Sequence, residues 1–188
     1  MIRLALGVLI ALFPLSEVAL AFVKRSGGRA AQSEDRGSMR LLWLGIALGV
    51  GLAIAARWIP SARLPGSPHV IRLLALGLLS GGLALRWVAI LTLGRLFTVD
   101  VAIHADHVVV RDGVYRLVRH PSYTGLLVAF LGLGLFFANY LSIVGLLLPV
   151  TLVVLNRVAK EEQALLASLG SEYAAYCART KRFIPGLI

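Results

Sequence analysis

The chain has 188 residues, 59% of them hydrophobic and only 15% charged, with a mean hydropathy of +0.85. Soluble domains carry roughly a quarter charged residues, so this composition excludes an ordinary soluble domain and indicates an integral membrane protein built as one compact bundle. The net charge of +10 would point to nucleic acid in a soluble chain, but here the basic residues flank apolar runs. Topology and anionic lipid headgroups account for them, and no nucleic-acid partner is expected.

The first apolar stretch, Ile2 to Val23, has the outline of a signal peptide, with Arg3 ahead of it and Ala19-Leu20-Ala21 near its end. The charge distribution described below makes it a retained span instead. Residues 24–40 read as a polar Gly/Ser linker, and a second span runs from Leu41 to Ile59. A connection with Pro60, Pro65 and Pro68 leads to a third span, Val70 to Leu93. The fourth and fifth spans cover 121–139 and 141–159, each run approaching the ~20 residues a bilayer requires. Asn139-Tyr140 leaves almost no loop, so these two form a tight helical hairpin.

Between spans three and four, "FTVDVAIHADHVVVRDGVYRLV" alternates, is β-branched and carries Asp112-Gly113 as a turn signal. It predicts a short hairpin or extended lid outside the bilayer. After span five the pattern predicts a helix to Leu169, a break at Gly170, and a second amphipathic helix ended by Pro185. The expected fold is therefore all-α, about five transmembrane helices with a short extended segment and an amphipathic helical tail. Residues 1–188 form one membrane domain, with three spans in 1–93 and the hairpin and tail in 94–188. Gly45-xxx-Gly49 and Gly77-xxx-Gly81 would let spans two and three pack closely.

Loop 24–40 holds five Lys or Arg, 95–122 four, and the tail from Arg157 five, against Arg3, Arg57, Arg63 and Arg72 on the other side. The positive-inside rule then puts the N-terminus outside and the C-terminus in the cytoplasm, with the plasma membrane of a prokaryote as the expected location. Arg86 is the remaining cation, inside a span. Glu17 lies seven residues before Lys24, ~10 Å from that end, and Arg86 nine residues before Arg95, ~13 Å from it, at 1.5 Å per residue. Spans one and three run in the same direction, so Glu17 and Arg86 are expected to meet in the bundle interior.

Three clusters carry chemistry. In "RLVRHPSYTG", residues 116–125, Pro121 pushes His120 out of helical angles and suits the first turn of a helix. Free N–H groups there, with Arg116 and Arg119 nearby and Gly125 leaving space, suit an anion-bearing ligand at the membrane surface, or a basic anchor that snorkels to headgroups. Asn156, Arg157, Lys160, Glu161 and Glu162 end span five; Arg157 and Glu161 share a helix face and can pair, and the carboxylates could accept from ribose hydroxyls or an ammonium. Glu172, Tyr173, Tyr176, Arg179, Lys181, Arg182 and Pro185 lie in the tail. The single cysteine, Cys177, excludes an internal disulfide and reads as a passive thiol, and no metal site is expected.

Together, "GVYRLVRHPSYTG", "EEQALL" and "LGSEYAAYCARTKRFIPG" resemble the isoprenylcysteine carboxyl methyltransferase family of membrane methyltransferases, grouped with the phospholipid methyltransferases, over roughly residues 94–188. The resemblance implies a membrane enzyme that uses S-adenosylmethionine, its pocket lying between the start of span four and the Glu-Glu segment and closed by the tail. His120, Pro121, Tyr123 and Gly125 match the cofactor motif, and Glu161 and Glu162 its acidic pair, with Arg157 beside them. Arg179 matches an arginine after the tail tyrosines and, with Tyr176, Arg86 and Glu17, is expected to meet the acceptor; Arg179 and Glu162 are the expected catalytic residues. Leu169 replaces the usual phenylalanine before the tail glycine, and residues 1–93 carry no matching motif.

A carboxylate acceptor needs no base, whereas an amine must be neutral and does. The expected reaction is methylation of a lipophilic or prenylated carboxylate entering from the bilayer among membrane lipids. The alternatives are N-methylation of a phospholipid or other lipid amine, and a non-catalytic membrane scaffold.

Overall fold

The computed structural model describes residues 1–23, 31–97 and 108–187, the side chains of 21–23 and 31–36 excepted. Five helices account for the architecture: α1 (Ile2–Val23), α2 (Ala31–Ala56), α3 (Pro68–Leu93), α4 (Pro121–Phe136) and α5 (Tyr140–Arg179). Among the described residues there is no strand, only isolated bridges joining Arg63 to Asn139 and Val118 to Lys181. Four of the helices are long and apolar enough to cross a membrane, and α4 is a shorter apolar helix. The expected all-α membrane fold is what is observed.

Helix starts follow the sequence signals. Pro68 and Pro121 sit in the first turns of α3 and α4, where a missing N–H is harmless. Asn139 caps α5 by accepting from the Ser142 amide, and its Nδ2 donates to the Ala56 and Ile59 carbonyls at 3.0 and 3.1 Å. One buried side chain thus satisfies the start of α5 and the end of α2. Only residues 137–139 join α4 to α5, the tight hairpin expected.

Four expectations change. Helix α2 begins at Ala31, so much of the 24–40 linker is helical, and it ends at Ala56 rather than Ile59. Helix α4 stops at Phe136, where Ala138 turns with φ 49°. Asp112-Gly113 opens a single 3-10 turn, Gly113–Arg116, not a hairpin; the rest of the expected lid, 98–107, lies outside the described residues. The tail helix ends at Arg179, because Arg119 N donates to Lys181 O and His120 N to Arg182 O, bonds that need extended backbone there. Gly170, with φ 53° and ψ −126°, is the expected break within α5.

Glycines set how the helices pack. A Cβ on Gly82 would lie 2.4 Å from Ala129 N, one on Gly125 2.6 Å from Arg86 N, and one on Gly132 2.5 Å from Leu79 N, so α3 and α4 meet backbone to backbone. Gly45 and Gly49 face α5, against Val153 and the Leu146 carbonyl, whereas Gly77 and Gly81 meet nothing within 4 Å. The expected α2–α3 seam is thus an α2–α5 seam. Helix α1 packs on α3, with Phe13 edge-on to Phe130 of α4 at 5.2 Å. Around the bundle the order is α1, α3, α4, α5, α2, and a cavity opens along the flank between α1 and α2.

Candidate binding site at the start of α4

At 1.5 Å per residue α5 spans ~60 Å, twice the ~30 Å of a hydrocarbon core, so its second half stands outside the membrane. Glu161 and Glu162 lie just past the apolar run, beside the start of α4. His120 is the N-cap of α4, with φ −124° and ψ 54°, as the following proline dictates. The tail returns across this point. Besides the two backbone bonds above, Thr124 Oγ1 donates to Phe183 O at 3.0 Å and Tyr176 Oη to Tyr115 O at 2.6 Å.

One carboxylate ties these pieces together. Glu162, 6% exposed, accepts from Arg119 Nε at 3.0 Å and pairs with His120 Nε2 at 3.2 Å through Oε1. Its Oε2 accepts from Arg182 Nε and Nη2 at 2.9 and 2.6 Å. Arg119 Nη1 also donates to the Cys177 and Thr180 carbonyls. Burial pushes the Glu162 carboxyl up, but the bonds from His120, Arg182 and Arg119 outweigh it and hold the group at about 2.

Beside this clasp lies a cavity of about 1370 Å³, counting its open mouth. Arg119, His120, Tyr123, Arg157, Glu161, Tyr173 and Tyr176 form its polar wall; Leu20, Leu42, Trp43, Ile46, Leu93 and Phe97 form its apolar one. Tyr123 bridges the pair expected on α5: Arg157 Nε donates to its hydroxyl at 2.8 Å, which donates to Glu161 Oε2 at 3.1 Å. Deeper in, Arg86 Nε and Nη2 meet Glu17 at 2.6 and 2.5 Å, and Nη1 donates to Ser122 Oγ at 2.9 Å. The depth-matched ion pair is present and borders the cavity. Burial pushes the Tyr173 and Tyr176 phenols up, Tyr176 to about 12, so both remain neutral donors.

The structure thus brings His120, Tyr123, Arg157, Glu161, Tyr176, Arg86 and Glu17 to one wall and separates four other expected residues from it. Glu162 does not line the cavity, since both its oxygens serve the clasp. Pro121 is buried in the α4 start, and the space beside Gly125 is filled by the α3 backbone rather than left for a ligand. Arg179 is exposed beside Arg111 and Ala175, outside the cavity, because the tail turns its Tyr173 and Tyr176 inward. Arg182 and Ser122 were not singled out in the sequence as site residues; Arg182 lies past the helix, where periodicity carries no signal.

Do these groups fit S-adenosylmethionine? The Tyr173 hydroxyl is buried on the cavity wall without a partner, and the Glu161 carboxylate faces the same space. A neutral donor and an anion suit the carboxylate and ammonium of an amino acid, so the residues present fit the group.

A helical bundle with a polar pocket at one end and an apolar flank in the bilayer defines a multi-pass integral membrane protein. Residues 74–167, half of the chain, match the model of the isoprenylcysteine carboxyl methyltransferase (ICMT) family, and the chain belongs to that family. It is 35% identical over 106 residues to the probable protein-S-isoprenylcysteine O-methyltransferase of Oryza sativa subsp. indica, covering 55% of this chain and 56% of the relative. It is 34% identical over 113 residues to the protein-S-isoprenylcysteine O-methyltransferase of Schizosaccharomyces pombe, covering 59% and 48%. The chain spans about half the length of the curated relatives it matches. A solved structure of the eukaryotic intramembrane Ras methyltransferase ICMT superposes with a TM-score of 0.69 at 28% identity, over 95% of this chain and 64% of that one.

Proposed function

We propose that the chain is a membrane methyltransferase that uses S-adenosylmethionine to methylate a lipophilic carboxylate, with a prenylated cysteine as the acceptor class. The observation that carries the reading is a single cavity with a titratable wall at the water-facing end and an apolar wall open to lipid between α1 and α2. The orientation that serves it has the C-terminus in the cytoplasm, so that a soluble donor and a lipid-borne acceptor meet at the interface.

When bound, S-adenosylmethionine supplies a methyl group already activated on a sulfonium. What remains for the protein is positioning and exclusion of water, which can contribute ~7–11 kcal/mol. The Arg157–Tyr123–Glu161 chain fixes the donor wall, with His120 beside it. Arg86, held by Glu17 and Ser122, presents a guanidinium at membrane depth to orient the acceptor carboxylate. That carboxylate is ionised at neutral pH and requires no base. The tail covers the polar end and keeps water out.

The test incubates purified protein in lipid vesicles with methyl-labelled S-adenosylmethionine and either a prenylated cysteine or an amine lipid. Base-labile label in the prenylcysteine is expected. Label on the lipid amine, or none on either acceptor, overturns the reading.

A further inference from the structure

The tail brings to the cavity a hydroxyl that the rest of the chain leaves unmet. Tyr173 is 3% exposed, and its Oη is the one buried side-chain polar atom among the described residues without a hydrogen-bond partner. Tyr176, one turn on, is buried nearly as well but donates to the Tyr115 carbonyl, so the orphan is particular to Tyr173. Buried polar groups are paired in the great majority of cases, and an exception on a cavity wall marks where a ligand atom belongs.

A second unmet donor adjoins the same space. Arg119 lines the cavity and commits Nε and Nη1 to Glu162, Cys177 and Thr180, while no described group accepts from Nη2. Two donors without acceptors call for anionic oxygen. Glu161, on the same wall, offers a carboxylate to a cation. The wall is complementary to a zwitterion.

We infer that Tyr173 is a binding residue whose hydroxyl, with Arg119, takes the α-carboxylate at the amino-acid end of S-adenosylmethionine, Glu161 facing the α-ammonium. The assignment rests on the methyl-donor reading above. It makes the tail a part of the binding site, so that tail docking and donor binding are linked.

Tyr173→Phe separates a ligand contact from a structural one, because the two readings differ in sign. Removing a hydroxyl that has no protein partner should leave the ligand-free melting temperature unchanged or raised. Affinity for S-adenosylmethionine and S-adenosylhomocysteine, measured by calorimetry on detergent-solubilised protein, should fall roughly 10-fold, the equivalent of one hydrogen bond to a charged group. Methylthioadenosine, which lacks the amino-acid end, should bind parent and variant alike. A lowered ligand-free melting temperature, or equal affinity for S-adenosylmethionine, overturns the Tyr173 assignment alone. Equal weakening of methylthioadenosine overturns its placement at the amino-acid end. No saturable S-adenosylmethionine binding by the parent overturns the donor reading and this inference together.

Discussion

Replacing Glu162 by Gln tests whether the clasp is what holds the tail in place. The substitution keeps the size and one acceptor oxygen but removes the charge that faces Arg119, His120 and Arg182. The Arg119 and His120 side chains are 11% and 4% exposed, so their arms of the clasp are buried. Uncoupling a buried charge costs roughly 3–5 kcal/mol, and about 3 is expected here because the Gln oxygen still accepts. Arg182 is 46% exposed and solvent screens its arm, so Arg182→Ala should cost roughly 1 kcal/mol or less. At roughly 2–4 °C per kcal/mol for a chain of this size, Glu162→Gln lowers the melting temperature by roughly 6–12 °C and Arg182→Ala by roughly 2–4 °C. Tryptophan-fluorescence melting in detergent reads both. Tryptic cleavage after Arg179 and Lys181 at low temperature reports the tail directly and should accelerate in the same order. A Glu162→Gln protein as stable as the parent, or an Arg182→Ala protein equally damaged, refutes the clasp as drawn.

Two further outcomes follow from the same coordinates. The Glu162 carboxyl is held at about 2, below its ordinary 4.5, so its contribution is fully present above pH 4.5 and lost as pH falls through that range towards 2. The melting-temperature gap between parent and Glu162→Gln should therefore be constant from neutral pH to about 5 and close between 4.5 and 2; a gap that widens on acidification refutes the assignment. Gly82→Ala and Gly125→Ala place a methyl 2.4 and 2.6 Å from facing backbone and should each cost roughly 3 kcal/mol or more in melting experiments, whereas Gly77→Ala, with nothing within 4 Å, should be neutral or stabilising.

Where physics acts along the chain, the sequence was readable. Apolar run length gave the spans, Pro121 the α4 start, Gly170 the break, and equal depth the Glu17–Arg86 pair. Rotational phase was harder to read. Successive helix positions differ by about 100°, and past the end of the apolar run no stripe marks which face is inward. That is why Glu161 and Glu162 looked equivalent when one faces the cavity and the other the clasp. It is also why Arg179 seemed to continue the Tyr173–Tyr176 face. Contacts between distant segments were the least legible: nothing local to Gly125 says that α3 occupies the space beside it, and nothing local to Arg182 says that it reaches back twenty residues to Glu162.

The cavity is assembled from parts with different histories of resemblance. The family match covers 74–167, which includes His120, Tyr123, Glu161 and Arg86, while Glu17, Leu20, Leu42, Trp43 and Ile46 come from helices before it. On the proposed reading, donor chemistry is written in the shared segment, and the shape offered to the acceptor is written largely in α1 and α2. Those two helices are the flanks of the bundle and do not hold its centre together. Their cavity-facing positions are free to drift in size and polarity while the methyl-donor end stays intact, so a new lipophilic acceptor can be recruited by resculpting two peripheral helices.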